Sequence, residues 1–307
     1  MSSPDALADE FIAHRPYLLG VGYRLTGSRA DAEDAVQESW LRLTGLTEAA
    51  RADITDLRAW LTTVVGRICL DRLRSATARR ERYVGQWLPE PLVTDPDGDG
   101  QDPLDVVVRD DGVRMAALVV LDRLSPQQRV AFVLHDAFGV PFGEIAELLG
   151  SSVEATRQHA TRARRAVADA AAPARPVLAE QREVLGRFLA AMATGDVPAV
   201  VALLHPDAVL IGDSDGKAKT AVNMIRGADK VARFVLGLQR RYGAENLAGM
   251  RFVLVNGDLG IYFPAWPGNA EHPPFNRRVF GVTIHDGRLV ALYDIVNPDK
   301  LTRVGQL

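Results

Sequence analysis

Residues 153–167, VEATRQHATRARRAV, carry a dense set of side chains able to address a nucleic acid. At about 100° per residue, Glu154, Arg157, Gln158, Thr161, Arg164 and Arg165 fall on one side of a helix. Thr156, Ala160, Ala163 and Val167 fall on the other, where small residues permit close packing. Arginine presents paired donors to guanine, glutamine pairs with adenine, and the rest position the helix, so the first side suits a major groove. The residues upstream supply the packing partner. Ser125-Pro126-Gln127-Gln128 is a capping signal for a helix running to Phe138. PFGEIAELLG then gives a helix with a glycine stop at Gly150, and Ser152 caps the next, the spacing of a helix-turn-helix. A purely structural helical hairpin is the plain alternative.

Two earlier segments carry charge in patterns suited to binding. Ser28, followed three residues later by Asp31, fits a helix N-cap. On that helix Val36, Trp40 and Leu43 share one face, while Asp31, Asp34 and Glu38 lie nearly opposite. Like charges four residues apart destabilise an isolated helix, so the acidic stripe is either solvated or faces a basic partner. Further on, Arg58, Arg67, Arg72, Arg74, Arg79, Arg80 and Arg82 outnumber Asp56, Asp71 and Glu81. Trp60 and Tyr83 flank that run. Arginine forks suit phosphate oxygens and aromatic neighbours can hold unstacked bases, which favours single-stranded or melting DNA. Trp60, in phase with Val64, reads as core.

Composition narrows the class. The 307 residues, 47% hydrophobic and 24% charged, describe an ordinary globular protein of two or three domains. No apolar run approaches the roughly 18 residues of a membrane span, so a cytoplasmic protein without membrane contact is expected. The one cysteine, Cys69, sits among Ile68, Leu70 and Leu73 and reads as packing. Up to Arg175 there are 21 arginines against 26 acidic residues; the remainder carries 15 basic and 13 acidic ones. A chain that held duplex DNA unaided would be basic overall, so a partner must supply the rest of the affinity.

Along the chain, helical pattern covers residues 7–83 and 113–170, separated by a Pro-, Gly- and Asp-rich stretch at 89–111 that reads as a solvated linker. After Pro176 come a helix over 177–193, a short one over 197–204, an amphipathic helix over 228–242 and five strand-like runs. His285-Asp286-Gly287-Arg288 reads as a hairpin turn. Helices followed by a mainly antiparallel sheet imply an α+β domain. Candidate acid–base groups there are His205, Asp213, Asp215, Tyr262, Trp266, Tyr293 and Asp294. No nucleophile and base occur at motif spacing, nor a metal-ligand cluster or dinucleotide loop, so neither catalysis nor a cofactor is expected.

The segments DAEDAVQESWLRL, RAWLTTVVGRICLDRLR and LDRLSPQQRVAFVLHDAFGVPFGEIAELLG resemble the two conserved regions of the extracytoplasmic-function sigma factors, over roughly the first half of the chain. The rest resembles a subgroup with a fused SnoaL-like, NTF2-like α+β cone built on a curved antiparallel sheet. WLPEP (Trp87, Pro89, Glu90, Pro91), DSDGK (Asp213, Asp215, Lys217) and NPDKL (Asn297, Asp299, Lys300) match its motifs, although Ser214 and Asp215 stand where the pattern has glycines. The resemblance implies region 2 over 1–86, a linker over 87–112, a region 4 helix-turn-helix over 113–172 and a regulatory domain over 173–307. It also implies that Asp31, Asp34, Gln37 and Glu38 dock on the β′ coiled coil of the RNA polymerase core (β′ and β subunits). The arginine segment would then melt and read a minus-ten promoter element, and the helix from Val153 a minus-thirty-five element. The fused domain would replace a separate anti-sigma factor, with a small-molecule ligand admitted as a further partner. Two rivals stay open: a one-component ligand-sensing DNA-binding regulator, and a cyclase or isomerase fused to a DNA-binding region.

Overall fold

The computed structural model describes residues 4–80, 83–98, 113–170, 173–243 and 249–304. They form two compact units. The first comprises Met1–Glu81, Gly100–Val113 and Ala117–Ala171, the second Arg82–Asp99, Arg114–Ala116 and Ala172–Leu307.

The first unit is helical. Helix α1 (Pro4–Thr26) packs on α2 (Arg29–Thr44) and α4 (Leu57–Arg80), with the short α3 (Glu48–Ala52) between the last two. Ser28 caps α2 by accepting the Asp31 N–H, as its position suggests. Helix α5 (Met115–Leu121) leads to α6 (Pro126–Phe132), which opens on a complete Ser125–Gln128 capping box and continues as a π-turn to Ala137. Helix α7 (Phe142–Leu149) stops at Gly150, whose φ of 65° is left-handed, and Ser152 caps α8 (Val153–Asp169). Both helical segments share one unit because α4 packs directly on α6 and α7. Gly66 makes that approach possible: a Cβ there would lie 2.8 Å from a Leu148 methyl and 3.2 Å from one of Leu134. Nearby the buried Arg129 donates from Nε and Nη2 to the Arg24 carbonyl, at 3.2 and 3.1 Å, satisfying the C-terminal end of α1.

The second unit is a seven-stranded sheet carrying helices α9 (Leu178–Thr194), α10 (Val197–Ala202) and α11 (Ala228–Tyr242). Its strands are β1 (Val93–Thr94), β2 (Leu204–Asp213), β3 (Ile225–Arg226), β4 (Arg251–Val255), β5 (Asp258–Phe263), β6 (Arg278–His285) and β7 (Arg288–Ile295), in the order β1-β4-β5-β6-β7-β2-β3. Asp286 and Gly287 both have positive φ, the conformation a two-residue hairpin demands. Helix α11 presses Val231, Ala232, Val235 and Leu236 into the core.

Two expectations need correcting, and one gains detail. The sheet is mainly antiparallel as expected, with one parallel pair: the chain turns back from β2 as β3 on one side, and β7 takes the other side of β2, parallel to it, only after β4, β5 and β6. The stretch from 89 is not wholly solvated: Leu88, Pro89, Pro91 and Leu92 are buried, and β1 pairs with β4 at the sheet edge. Tyr83, read with the arginine helix, belongs to the second unit. Each time a long-range partner overrides local composition.

Candidate functional site

The helix-turn-helix presents its polar side outward. Thr156, Ala160 and Ala163 are buried, whereas Glu154, Arg157, Gln158, Thr161, Arg164 and Arg165 are all exposed. Ser152 on the Ala155 N–H at 3.1 Å and Ser151 on Thr156 at 2.9 Å anchor the start of α8. Arg164 pairs with Asp136 at 2.7 Å and Arg157 lies 5.8 Å from the Phe142 ring centre, so two of the six side chains are also steadied within the unit.

The acidic helix and the arginine helix meet. Arg72 Nη1 lies 2.6 Å from Asp31 and 3.4 Å from Asp34, which places one arginine of the expected DNA-binding set against the expected polymerase-binding face. Burial opposes the charge on Arg72, but the bonds to these carboxylates outweigh it and raise its pKa. Gln37 is exposed, and Glu38 pairs with Arg42 one turn on. The Arg58 guanidinium sits 3.8 Å from the Tyr17 ring centre, Arg67 is exposed and Arg74 faces Asp71 at 3.7 Å. The side chains of Arg79 and Arg80, like all of Arg82, lie outside the described residues. Beneath this face Cys69 is fully buried, and burial pushes its thiol up to about 12.

In the second unit Asp213, with no solvent exposure, gathers three donors. The Leu88 N–H and the Lys300 ammonium each lie 2.6 Å from its carboxylate, and the Tyr83 hydroxyl donates to it as well. Lys300 also donates to the Leu88 carbonyl and sits 4.3 Å from the Trp87 ring centre. Asn297 donates to the Tyr83 oxygen at 2.8 Å, and the Val84 N–H reaches Asp215 at 3.3 Å. Burial first, and then the Asp213 charge, raise the Tyr83 pKa, so the hydroxyl stays a donor. Asp215 takes a φ of 49° beside Gly216 at 69°; its short side chain tolerates that left-handed turn in place of glycine. Lys217 bridges Asp299 at 2.5 Å and Asp215 at 3.2 Å. Of the WLPEP residues, Pro89 and Pro91 are buried while Trp87 and Glu90 are half-buried.

Sequence reading missed a second clamp. Asp258, at the start of β5, receives Arg114 at 2.8 Å and Arg175 at 3.2 Å, and Arg114 also donates to the Pro173 carbonyl at 2.6 Å. The residues just before and just after the helix-turn-helix segment thus close on one carboxylate. Only the Gly-Asp of a hairpin marks Asp258 in the sequence. Among the acid–base candidates, Asp294 is buried against Arg278 at 3.1 Å and accepts the Thr220 hydroxyl at 2.5 Å, while His205 caps its own turn through Asp207. A cavity of about 180 Å³ lies between α9, α11 and the sheet, and among the described residues none of those lining it is Asp, Glu or His.

Residues 11–79 match the Sigma-70 region 2 model and residues 114–167 the Sigma-70 region 4 model. The chain is 53% identical over 299 residues to the ECF RNA polymerase sigma factor SigJ of Mycobacterium tuberculosis, covering 95% of this chain and 92% of that one. It is 38% identical over 240 residues to the probable ECF RNA polymerase sigma factor SigI of the same organism, covering 77% and 78%. The crystal structure of Mycobacterium tuberculosis SigJ superposes with a TM-score of 0.81 at 52% identity, over 96% of this chain and 98% of that one. No helix among the described residues is long and apolar enough to cross a membrane.

Proposed function

Because this chain belongs to the extracytoplasmic-function (ECF) RNA polymerase sigma factors, which direct polymerase to promoters, we propose that its C-terminal α+β domain controls that activity by holding residues 83–92. The observation that carries this reading is the buried Asp213, bonded at once to Tyr83, Leu88 and Lys300. A domain of the same chain acts at high effective concentration, so a few such bonds suffice and no separate anti-sigma factor is required. In the same reading, Asp31, Asp34, Gln37 and Glu38 meet the polymerase β′ subunit; Arg58, Arg67, Arg74, Arg79 and Arg80 meet the melting minus-ten element. Arg72 moves from Asp31 to phosphate when a basic partner takes the acidic face. Glu154, Arg157, Gln158, Thr161, Arg164 and Arg165 enter the major groove of the minus-thirty-five element. In this reading the protein acts in the cytoplasm and its C-terminal domain regulates rather than performs chemistry.

Transcription in vitro with purified core polymerase tests the proposal, comparing the full chain, a chain ending at residue 176 and the full Lys300→Met variant. Both altered proteins should change promoter output relative to the full chain. Unchanged output from both would remove the regulatory role, and failure of the full chain to associate with core polymerase would favour a one-component DNA-binding regulator.

A further inference from the structure

Two buried charges lie next to the grip on residues 83–92 without taking part in it. Arg278 on β6 and Asp294 on β7, 1% and 0% exposed, pair at 3.1 Å. Each makes a further bond to the loop that follows β2. Asp294 accepts the Thr220 hydroxyl at 2.5 Å, and Arg278 Nη2 donates to the Lys219 carbonyl at 3.2 Å. The loop is thereby drawn back over its own strand, and Gly212 makes room for it. A Cβ there would lie 2.3 Å from Thr220 Oγ1 and 2.6 Å from the Ala221 carbonyl oxygen.

The same loop is the floor on which residues 84 and 85 rest. Asp215 accepts the Val84 N–H at 3.3 Å, a Cβ at Gly216 would lie 3.3 Å from the Val84 side chain, and one at Gly85 3.4 Å from the Val222 carbonyl oxygen. Between Ser214 and Val222, among the described residues, only Ala221 joins the apolar core, so burial does little to offset the entropy of ordering this stretch. A buried ion pair is in itself no more stabilising than apolar side chains of the same size, so what sets Arg278 and Asp294 apart is the loop shape they impose.

We propose that Arg278, Asp294 and Thr220 form a buried lock that presets the 214–222 loop to receive residues 83–88, which makes them positioning residues for the grip centred on Asp213. They act through the loop. With the Thr220 bond broken, Asp215 and the seat of Val84 move away, while the Asp213 backbone stays pinned by the Val296 and Asn297 N–H groups at 2.9 and 3.0 Å. The lock rests on the proposed grip of the C-terminal domain on residues 83–92 and sets its strength.

Amide hydrogen exchange at Leu88, in the purified full chain without polymerase, tests the lock, since that N–H is buried on Asp213 and exchanges when residues 83–88 lift off. Thr220→Val keeps the shape and removes the hydroxyl; it should speed the exchange about tenfold, the effect of one hydrogen bond. Thr220→Ser, which keeps the hydroxyl, should stay within about twofold of the parent. Val184→Ala truncates a buried side chain on α9 and should lower the melting temperature at least as far as Thr220→Val. It should nonetheless leave Leu88 within about twofold, because local opening does not require global unfolding. Exchange in Thr220→Val no faster than in Val184→Ala, or Thr220→Ser exchanging as fast as Thr220→Val, would overturn the lock. Faster exchange in Thr220→Val with promoter output unchanged would remove the regulatory role and leave the lock standing.

Discussion

Asp31 and Asp213 each hold a cation from a distant stretch of sequence, Arg72 in one case and Lys300 in the other, in opposite surroundings. The Asp31 and Arg72 side chains keep 32% and 26% of their exposure; those of Asp213 and Lys300 keep 0% and 12%. Water screens the first pair and stands ready to replace either member, so exchange for an outside partner costs little. The second pair is bound into a closed set of hydrogen bonds with Tyr83, Leu88 and Asn297, and removing Lys300 leaves a buried carboxylate with neutral donors but no counter-charge. One arrangement suits a face that must open to a partner, the other a grip that must hold a segment of the same chain.

The largest expected effect breaks the buried member of this comparison. Lys300→Met should lower stability by about 3–5 kcal/mol, the cost of stranding a buried carboxylate, read as a lower denaturant midpoint. A loss below about 1 kcal/mol would place Asp213 in the same class as Asp31. Next, Arg157→Ala or Gln158→Ala should weaken promoter binding by the holoenzyme by about 1–3 kcal/mol in a base-dependent way. Their melting temperatures should stay put, since both residues are exposed. Equal losses on every promoter sequence would reduce these side chains to phosphate contacts.

A smaller change tests the exposed pair. Arg72→Ala should cost less than about 1 kcal/mol of stability and tighten association with core polymerase by freeing Asp31 and Asp34. Weaker association, measured by competition binding, would make Arg72 part of the contact. The smallest effect is a null one. With its thiol pushed up to about 12, Cys69 should stay unlabelled by iodoacetamide at pH 8 in the folded protein and react on unfolding. Rapid labelling of the native chain would show that the region beneath Arg72 opens far more readily than its burial implies.

Much of the helical architecture was legible because its signals are local. Ser28, Ser125 with Gln128, Gly150 and Ser152 each act within about four residues, and α11 matched the period of its apolar face from Ala228 to Tyr242. The two sides of α8 were legible for the same reason. The Asp213 cluster came only from resemblance, and the Asp258 clamp not at all, because their partners stand 125 and 144 residues away in sequence. The parallel pairing of β2 with β7 was equally hidden: alternation tells which face a strand buries but not which neighbour it takes.

By itself the chain determined its helices, their caps and the sides on which charge would stand, since backbone hydrogen bonding and side-chain period act over one or two turns. Tertiary structure alone decided that Tyr83 leaves the arginine helix for Asp213, that Arg72 shields the acidic face, and that Arg114 and Arg175 close on Asp258. Whether a polar group is paired, shielded or stranded depends on what is folded against it, and distance along the chain carries no such information.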